Sequence, residues 1–261
     1  MLFLLVLLGL LIGCFGTLVG AGGGFILMPL LLLWRPGEEA DRLTALSLFM
    51  VLCNAISGSV GYARAGRIDY KAGFIFAAAA LPGAIAGTFL VDRIPRQQFD
   101  YIMAGVLTAV AVFLLWRGEK RVGKSSGSGS QAEADAKPRL GIGAAVSVGV
   151  GCIASLLGIG GGIIHVPALV HLVHMPVHIA AATSHFVLAI TTSVAVAILA
   201  SRGMLTGQWD QALALGLGAV VGAQFGARLS ERLPGGVIVR ALAIALILAS
   251  ARVVWQASTR S

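Results

Sequence analysis

Two stretches carry most of the chemistry this sequence could do. Gly13–Pro29 reads GCFGTLVGAGGGFILMP, and Gly151–Pro167 reads GCIASLLGIGGGIIHVP. They lie 138 positions apart and share nine of 17 residues, including the Cys, the G-x-GGG and the Pro. Glycine costs about 0.8–1.0 kcal/mol relative to Ala in a helix interior. Three in a row inside an apolar run therefore predict that a helix stops and restarts. The restarted helix has N–H groups with no intrahelical acceptor and a positive dipole end, which together favour an anion. Glycine also lets a ligand approach the backbone closely. Gly20, Gly22, Gly23 and Gly24, with their counterparts Gly158, Gly160, Gly161 and Gly162, are the expected substrate-binding positions. Pro29 and Pro167 follow each triplet by five residues and are expected to reinforce the discontinuity. The competing reading is that these glycines only let helices pack closely. Gly218, Gly222 and Gly226, spaced by four, suit that role.

Polar side chains could complete the site. Ser47 and Asn54, seven apart, share one helix face, and Ser184 is the repeat counterpart of Ser47. Hydroxyl and amide donors suit an oxyanion, although such groups also serve as interhelical hydrogen bonds. All five histidines fall between His165 and His185. His165 lies three residues past the second triplet and His185 follows Ser184. Either could pass a proton, or let the protein recognise a weak acid in one protonation state. His171, His174 and His178 read as a wet loop. No metal site is expected there, because Pro176 interrupts helical spacing and no carboxylate is near. Asp and Glu cluster at span ends and in loops, so no mid-membrane carboxylate relay is visible.

The elements that must position these residues are membrane helices. The chain has 261 residues, 57% hydrophobic and only 11% charged, with mean hydropathy +0.92. Soluble proteins carry about 25% charged residues, and about 20 apolar residues cross a bilayer. The fold class is all-α and polytopic, with about eight transmembrane segments and no alternating pattern for a barrel. The expected spans are one within Leu2–Trp34, then Leu43–Ala63, Ala72–Val91, Phe99–Trp116, one within Leu140–His174, Ile179–Ala200, Gln211–Leu229 and Val237–Trp255. Leu2–Trp34 would measure about 50 Å as one straight helix, against a hydrocarbon core of about 30 Å. It must break, tilt strongly or re-enter.

Further matches make the chain two copies of a four-segment unit, each with a Gly-broken first segment. ALSLF at 45–49 matches ATSHF at 182–186, and DRIP at 92–95 matches ERLP at 231–234. PGAIAG at 82–87 resembles GAVVG at 218–222, which implies four extra residues in the second copy. The organisation is residues 1–117, a polar Gly/Ser-rich flexible linker over 118–139, and residues 140–261. Internal repeats are frequent in secondary transporters. The copies run parallel if each Gly-containing segment crosses the membrane and inverted if each is a re-entrant hairpin. With eight crossings, 12 Lys and Arg fall on the side of the linker and both termini and 7 on the other, so termini and linker are expected in the cytoplasm. The start MLFLLVLLGLLIGCFG lacks a basic n-region and a small-residue cleavage site, so no cleaved signal peptide is expected. Cys14, Cys53 and Cys152 lie in apolar segments and read as packing residues. The net charge of +8 suits cytoplasmic loops better than nucleic acid.

The repeated G-x-GGG-x-x-x-x-P, the GAVVGAQFGARLSERLP stretch, the eight spans and the length resemble the TauE/SafE family of sulfite and organosulfonate exporters. The resemblance covers nearly the whole chain except the linker. It implies a secondary transporter that exports a small sulfur oxyanion, such as sulfite, sulfoacetate or a related sulfonate, across the bacterial inner membrane. Backbone N–H groups at the broken helices would hold the anion. An uptake carrier for similar anions and a non-transport scaffold or sensor subunit are the alternatives. An enzyme is not expected, because no G-x-S-x-G, H-E-x-x-H or paired-Asp motif occurs. No cofactor is expected, and G-x-x-x-x-G-K-[ST] is absent, so an ion or substrate gradient or an external motor must drive transport. The partners are the anion and the lipid bilayer; a homo-oligomer is also open.

Overall fold

The computed structural model describes residues 2–35, 37–122, 140–234, 237, 240, 243–249 and 251. Among these the chain is helical with no strand. The first half comprises α1 (Leu2–Val19), α2 (Gly24–Trp34), α3 (Ala40–Arg64), α4 (Tyr70–Leu90), a short 3-10 turn Val91–Arg93, and α5 (Arg96–Val122). The second comprises α6 (Leu140–Leu157), α7 (Gly162–His171), α8 (Val177–Ser201) and α9 (Trp209–Arg232). The described helices at Leu2–Val19, Ala40–Arg64, Tyr70–Arg93, Val177–Ser201 and Trp209–Ser230 are each long and apolar enough to cross a membrane. Large apolar side chains face outward, with Phe3 at 77% and Leu217 at 63% exposure, while Asn54, His185 and Thr17 are fully buried. That inverted distribution is what a hydrocarbon solvent demands. α5 continues to Val122, five residues into the segment read as a linker; the rest of that segment, and most of the expected span 237–255, lie outside the described residues.

Glycines on α1, α4, α6 and α9 let backbones touch, and their contacts give the helix directions. A Cβ on Gly13 would come within 2.7 Å of the Ala219 Cα, and one on Gly222 within 2.8 Å of the Cys14 nitrogen. Gly9 faces Leu215, and Gly226 faces Cys14 and Thr17. Residue numbers rise together, so α1 and α9 run parallel. Gly83 against Val148 and Gly87 against Cys152 and Leu156 make α4 and α6 parallel in the same way. These two interfaces are copies of one another. Gly83 corresponds to Gly222 and Gly87 to Gly226, at an offset of 139. The match of Gly83 with Gly218, and the extra helical turn it implied, is thereby corrected: the Cβ-free surface of each helix fixes the true register.

Other contacts set the halves against each other. Gly58 touches His185, and the Asp69 N–H donates to Thr183 Oγ1 at 3.1 Å, while Val51 lies level with Leu188. Along α3 the numbers rise as those on α8 fall, so these equivalent helices are antiparallel.

α1 and α2 double back. The Ala21 and Gly22 N–H groups both donate to the Gly16 carbonyl, and a Cβ on Gly23 would come within 2.7 Å of the Ile12 side chain. The far end of α2 returns to the level where α9 begins, with Arg35 donating to Gln208 at 3.0 Å and to Gln211. α1 also starts at that level. The α1–α2 pair is thus a hairpin rather than a crossing. Arg96 donates to the Glu38 carbonyl at 2.6 Å, so α5 starts at the same end of the bundle. Its 27 residues, about 40 Å, then carry Val122 to the other end. Residue 2 and residue 122 are therefore at opposite ends, which corrects the expectation that the amino terminus and linker share a side. The count had treated 2–34 as one crossing.

A side chain at Gly222 must displace α1 backbone, and overpacking costs about 1–3 kcal/mol. Gly222→Leu should lower the thermal unfolding midpoint of detergent-purified protein. Gly105→Leu, with nothing within 4 Å of a new Cβ, should leave it unchanged.

Candidate functional site: a polar cleft at the second glycine turn

The two glycine turns share one backbone path. Gly20, Gly22 and Gly23 have φ of 80°, 79° and 82°, and Gly158, Gly160 and Gly161 have 67°, 80° and 79°. Gly23 and Gly161 are the N-cap residues of α2 and α7 in the left-handed region, where any Cβ is strained. Each turn sits level with Val51 and Leu188, near the centres of α3 and α8. Pro29 and Pro167 lie inside α2 and α7, and both helices continue past them, so the prolines do not end a helix. Each instead removes the α-helical donor for the carbonyl four residues earlier, Phe25 or Ile163.

The turns meet, but they leave no room for an anion between them. A Cβ on Gly24 would come within 2.8 Å of the Gly158 carbonyl, and one on Gly162 within 2.6 Å of the Ala21 Cα. Val51 and Leu188 cover both Gly22 and Gly160 with methyl groups. The centre of the molecule is an apolar seal.

Beside each turn the halves differ. In the first half the space is filled by hydrogen bonds. Asn54 Nδ2 donates to the Gly13 carbonyl at 3.2 Å and the Gly22 carbonyl at 3.1 Å. Thr17 donates its hydroxyl proton to Asn54 Oδ1, and His185 Nε2 lies 3.2 Å from the same Thr17 oxygen. Tyr62 donates to the Thr17 carbonyl at 2.5 Å and stacks edge-on with His185 at 5.6 Å. With its proton spent on Asn54, Thr17 accepts from His185, which fixes that ring as an Nε2–H donor. Ser47 donates to the Gly158 carbonyl at 2.6 Å. Ser47 and Asn54 are therefore engaged with backbone carbonyls at or beside the turns, and His185 with Thr17. Ser184 is fully buried and its hydroxyl has no hydrogen bond among the described residues.

In the second half the equivalent place is a narrow cleft of about 20 Å³, room for about one water-sized group. Gly160, Gly161, Ser147, Ser155, His165, Thr191 and Thr192 contribute to its wall, with Ala80 of α4 opposite. The cause is a set of shorter side chains at matching positions. Thr191 stands where the first half has Asn54, and it bonds back to the Val187 carbonyl at 3.0 Å instead of crossing to the turn. Ser155 stands where the first half has Thr17. It is 4% exposed and makes no hydrogen bond among the described residues. His165 replaces Leu27, and its Nε2 lies 2.9 Å from Ser147 Oγ. The Gly162 and Ile163 N–H groups at the start of α7 have no acceptor among the described residues. Gly160, Gly161 and His165 thus meet in one place. Gly20, Gly22, Gly23, Gly24 and Ser47 belong to the seal and the filled half. Ser147 and Ser155 were missed, although T-L-V-G over S-L-L-G marks position 155 as a repeated hydroxyl three residues before the turn.

Asn54→Leu removes the donor to the Gly13 carbonyl of α1 and the Gly22 carbonyl of the turn and the acceptor of the Thr17 hydroxyl, at about 1–3 kcal/mol for each buried group left unpaired. It should lower the unfolding midpoint by more than 5 °C, whereas Ser155→Ala, which removes an unbonded hydroxyl, should move it little. Differential scanning fluorimetry in detergent measures both.

A family model described as "Sulfite exporter TauE/SafE" matches residues 5–253. The chain is 27% identical over 269 residues to "Probable membrane transporter protein YunE" of Bacillus subtilis (strain 168), covering 97% of both chains. It is 25% identical over 250 residues to a "Probable membrane transporter protein" of Xylella fastidiosa (strain 9a5c), covering 95% of this chain and 93% of the relative. It is 26% identical over 194 residues to "Probable membrane transporter protein MJ0441" of Methanocaldococcus jannaschii, covering 72% and 68%. No solved structure matches.

Proposed function

We propose, because the chain belongs to the sulfite exporter TauE/SafE family, that it moves a small sulfur-containing oxyanion out of the bacterial cytoplasm and binds it in the cleft at the second glycine turn. The chain is a multi-pass membrane transporter. Sulfite, sulfoacetate and related sulfonates are the substrates this reading favours. The observation that carries it is the cleft itself. Near the middle of the bundle it combines Ser155, His165 and the Gly160 and Gly161 backbone, whose N–H groups have no acceptor among the described residues. Irregular backbone at membrane depth is tolerated where it lines a polar cavity. Helix N-termini at such a break suit an anionic group. On this reading the molecule is two inverted copies, each with a Gly-broken hairpin in place of a first crossing. The first hairpin is a scaffold and the second the binding element.

The charge at the two ends supports the direction. At the end bearing residue 2, Arg35 pairs with Gln208, Arg42 with the Thr206 carbonyl, Arg96 with Asp100 and Arg202 with Asp92. At the other end Arg64, Arg67, Arg228 and Arg232 make no hydrogen bond or ion pair among the described residues. Arg64, Arg228 and Gln224 line a depression of about 230 Å³ there. Through position 234, described Lys and Arg number eight at this end (Arg64, Arg67, Lys71, Arg117, Lys120, Arg121, Arg228 and Arg232) and five at the other (Arg35, Arg42, Arg93, Arg96 and Arg202). The positive-inside rule puts the eight in the cytoplasm, together with the linker. Uncompensated arginines there would raise the local concentration of anions.

Two experiments test this reading. Proteoliposomes should show saturable flux of sulfite or a sulfonate. Gly161→Val, strained at φ 79°, should abolish the flux while the protein still purifies as a monodisperse particle. A membrane-impermeant thiol reagent should label Leu2→Cys and Ser128→Cys, each in a cysteine-free background, from opposite faces of the membrane. Labelling from one face would sink the inverted topology.

A further inference from the structure

Hydrogen bonds in the second-turn cleft are arranged unevenly between donors and acceptors. Thr192 donates to the Leu188 carbonyl at 2.6 Å and Thr191 to the Val187 carbonyl at 3.0 Å. Ser147 donates to the Gly143 carbonyl at 2.7 Å. A carbonyl only accepts, so all three hydroxyl protons are spent on the helix backbone. What the threonines can offer the cleft is oxygen lone pairs. His165 Nε2 must then donate to Ser147, and in this neutral form Nδ1 holds a lone pair with no hydrogen bond among the described residues. Against these acceptors stand few donors: the free hydroxyl of Ser155 and the Gly160 and Gly161 amides, which have no acceptor among the described residues.

Nothing in the cleft wall carries a positive charge. His165 is enclosed by Phe76 and Ala80 of α4, Ser147 and Val150 of α6, and Val187 and Thr191 of α8. No Asp, Glu, Lys or Arg is among them. The nearest thiol, Cys152, packs toward Gly83 and Gly87 of α4. A fully ionised dianion here would set two charges against several lone pairs with no cation to offset them, which is costly in a buried site. A monoanion that still carries an acidic proton meets the site differently. It accepts from Ser155 and the Gly160 and Gly161 amides and donates its own proton to Thr191, Thr192 or His165 Nδ1.

We infer that the cleft selects the singly charged, still protonated form of its oxyanion, of the hydrogen sulfite type, over the fully ionised form. Ser155 acts as the donor, and Thr191, Thr192 and His165 act as acceptors for the ligand's proton. This rests on the reading of the cleft as the oxyanion site, and it narrows the substrate to a protonation state.

The test is flux into proteoliposomes of the full chain, at equal pH on both sides and with the membrane potential clamped. Sulfite, sulfate and methanesulfonate are compared across the neutral range. Sulfite flux at low concentration should fall with rising pH, approaching about tenfold per unit above its second ionisation, because only the competent fraction binds. Sulfate, a dianion throughout, should not be carried. Methanesulfonate, a monoanion with no proton to give, should be carried with a weaker KM that does not vary with pH. Ser155→Ala should raise KM for sulfite and methanesulfonate alike and leave the pH slope of sulfite flux intact. His165→Leu should reduce the preference for hydrogen sulfite over methanesulfonate. Sulfite flux that is flat or rising with pH, or sulfate carried as fast as sulfite, would overturn the inference while leaving the transporter reading standing. No flux of any of the three by folded protein would overturn both.

Discussion

A helix cannot stop inside hydrocarbon without exposing backbone groups that have no partner there, and the rest of this structure follows from how that is resolved. Each unpaired group costs a few kcal/mol in an apolar surrounding. The chain stops a helix twice, at Gly20–Gly23 and at Gly158–Gly161. In the first half Asn54 covers the Gly13 and Gly22 carbonyls, and Tyr62 covers that of Thr17. The Gly158 carbonyl of the second turn is taken by Ser47, from the opposite half. The first amides of α2 and of α7 have no backbone acceptor among the described residues, and the halves differ at the turn itself: the Gly22 N–H donates to the Gly16 carbonyl, whereas that of Gly160, which lines the cleft, has no acceptor among the described residues.

The close packing of the two halves follows from the same constraint. Lipid offers no hydrophobic drive for helices to associate, so contact area and backbone approach must supply it. Gly9, Gly13, Gly218, Gly222 and Gly226 bring α1 and α9 to backbone contact, and Gly83, Gly87 and Gly151 do so for α4 and α6. In both interfaces the first helix of one half packs along a helix of the other half. Neither hairpin could hold its turn near the membrane centre alone. The turns are held because each is braced by the opposite copy, down to the seal that Val51 and Leu188 make together.

The glycine triplets, their recurrence and the all-helical membrane character were legible in the sequence, because glycine clusters and apolar runs of twenty residues act locally. The hairpin was open as one of three choices, and only the Gly16–Gly22 and Gly23–Ile12 contacts decide it. The placing of the amino terminus failed for that reason, since one miscounted crossing reverses every side before the linker. The symmetric anion site was not legible either. Sequence identity between the two stretches suggested two equal sites, but side chains outside the triplet determine whether space remains. Asn54 is long enough to cross from α3 to the turn, and Thr191 is not. That difference of one heavy atom in length fills one half and leaves a narrow cleft in the other. The alignment of Gly83 with Gly218 failed because small residues recur every four positions along α9, so several registers fit the letters and only one fits the backbone of α1.

Duplication gives a transporter two equivalent elements that can exchange roles, and here the equivalence has been given up at particular residues. Leu27, Thr17 and Asn54 in one copy face His165, Ser155 and Thr191 in the other. The first set closes a network around a fully buried His185; the second leaves a histidine, a free hydroxyl and the turn glycines around a narrow cleft. The ends of the bundle are unequal in the same sense, with arginines engaged at one and unpaired at the other. A protein of two interchangeable halves would have no built-in difference between its faces. On the proposed reading the filled hairpin braces the one that lines the cleft, and uncompensated arginines concentrate anions at one end of the bundle, while the net direction of flux follows the gradients imposed across the membrane.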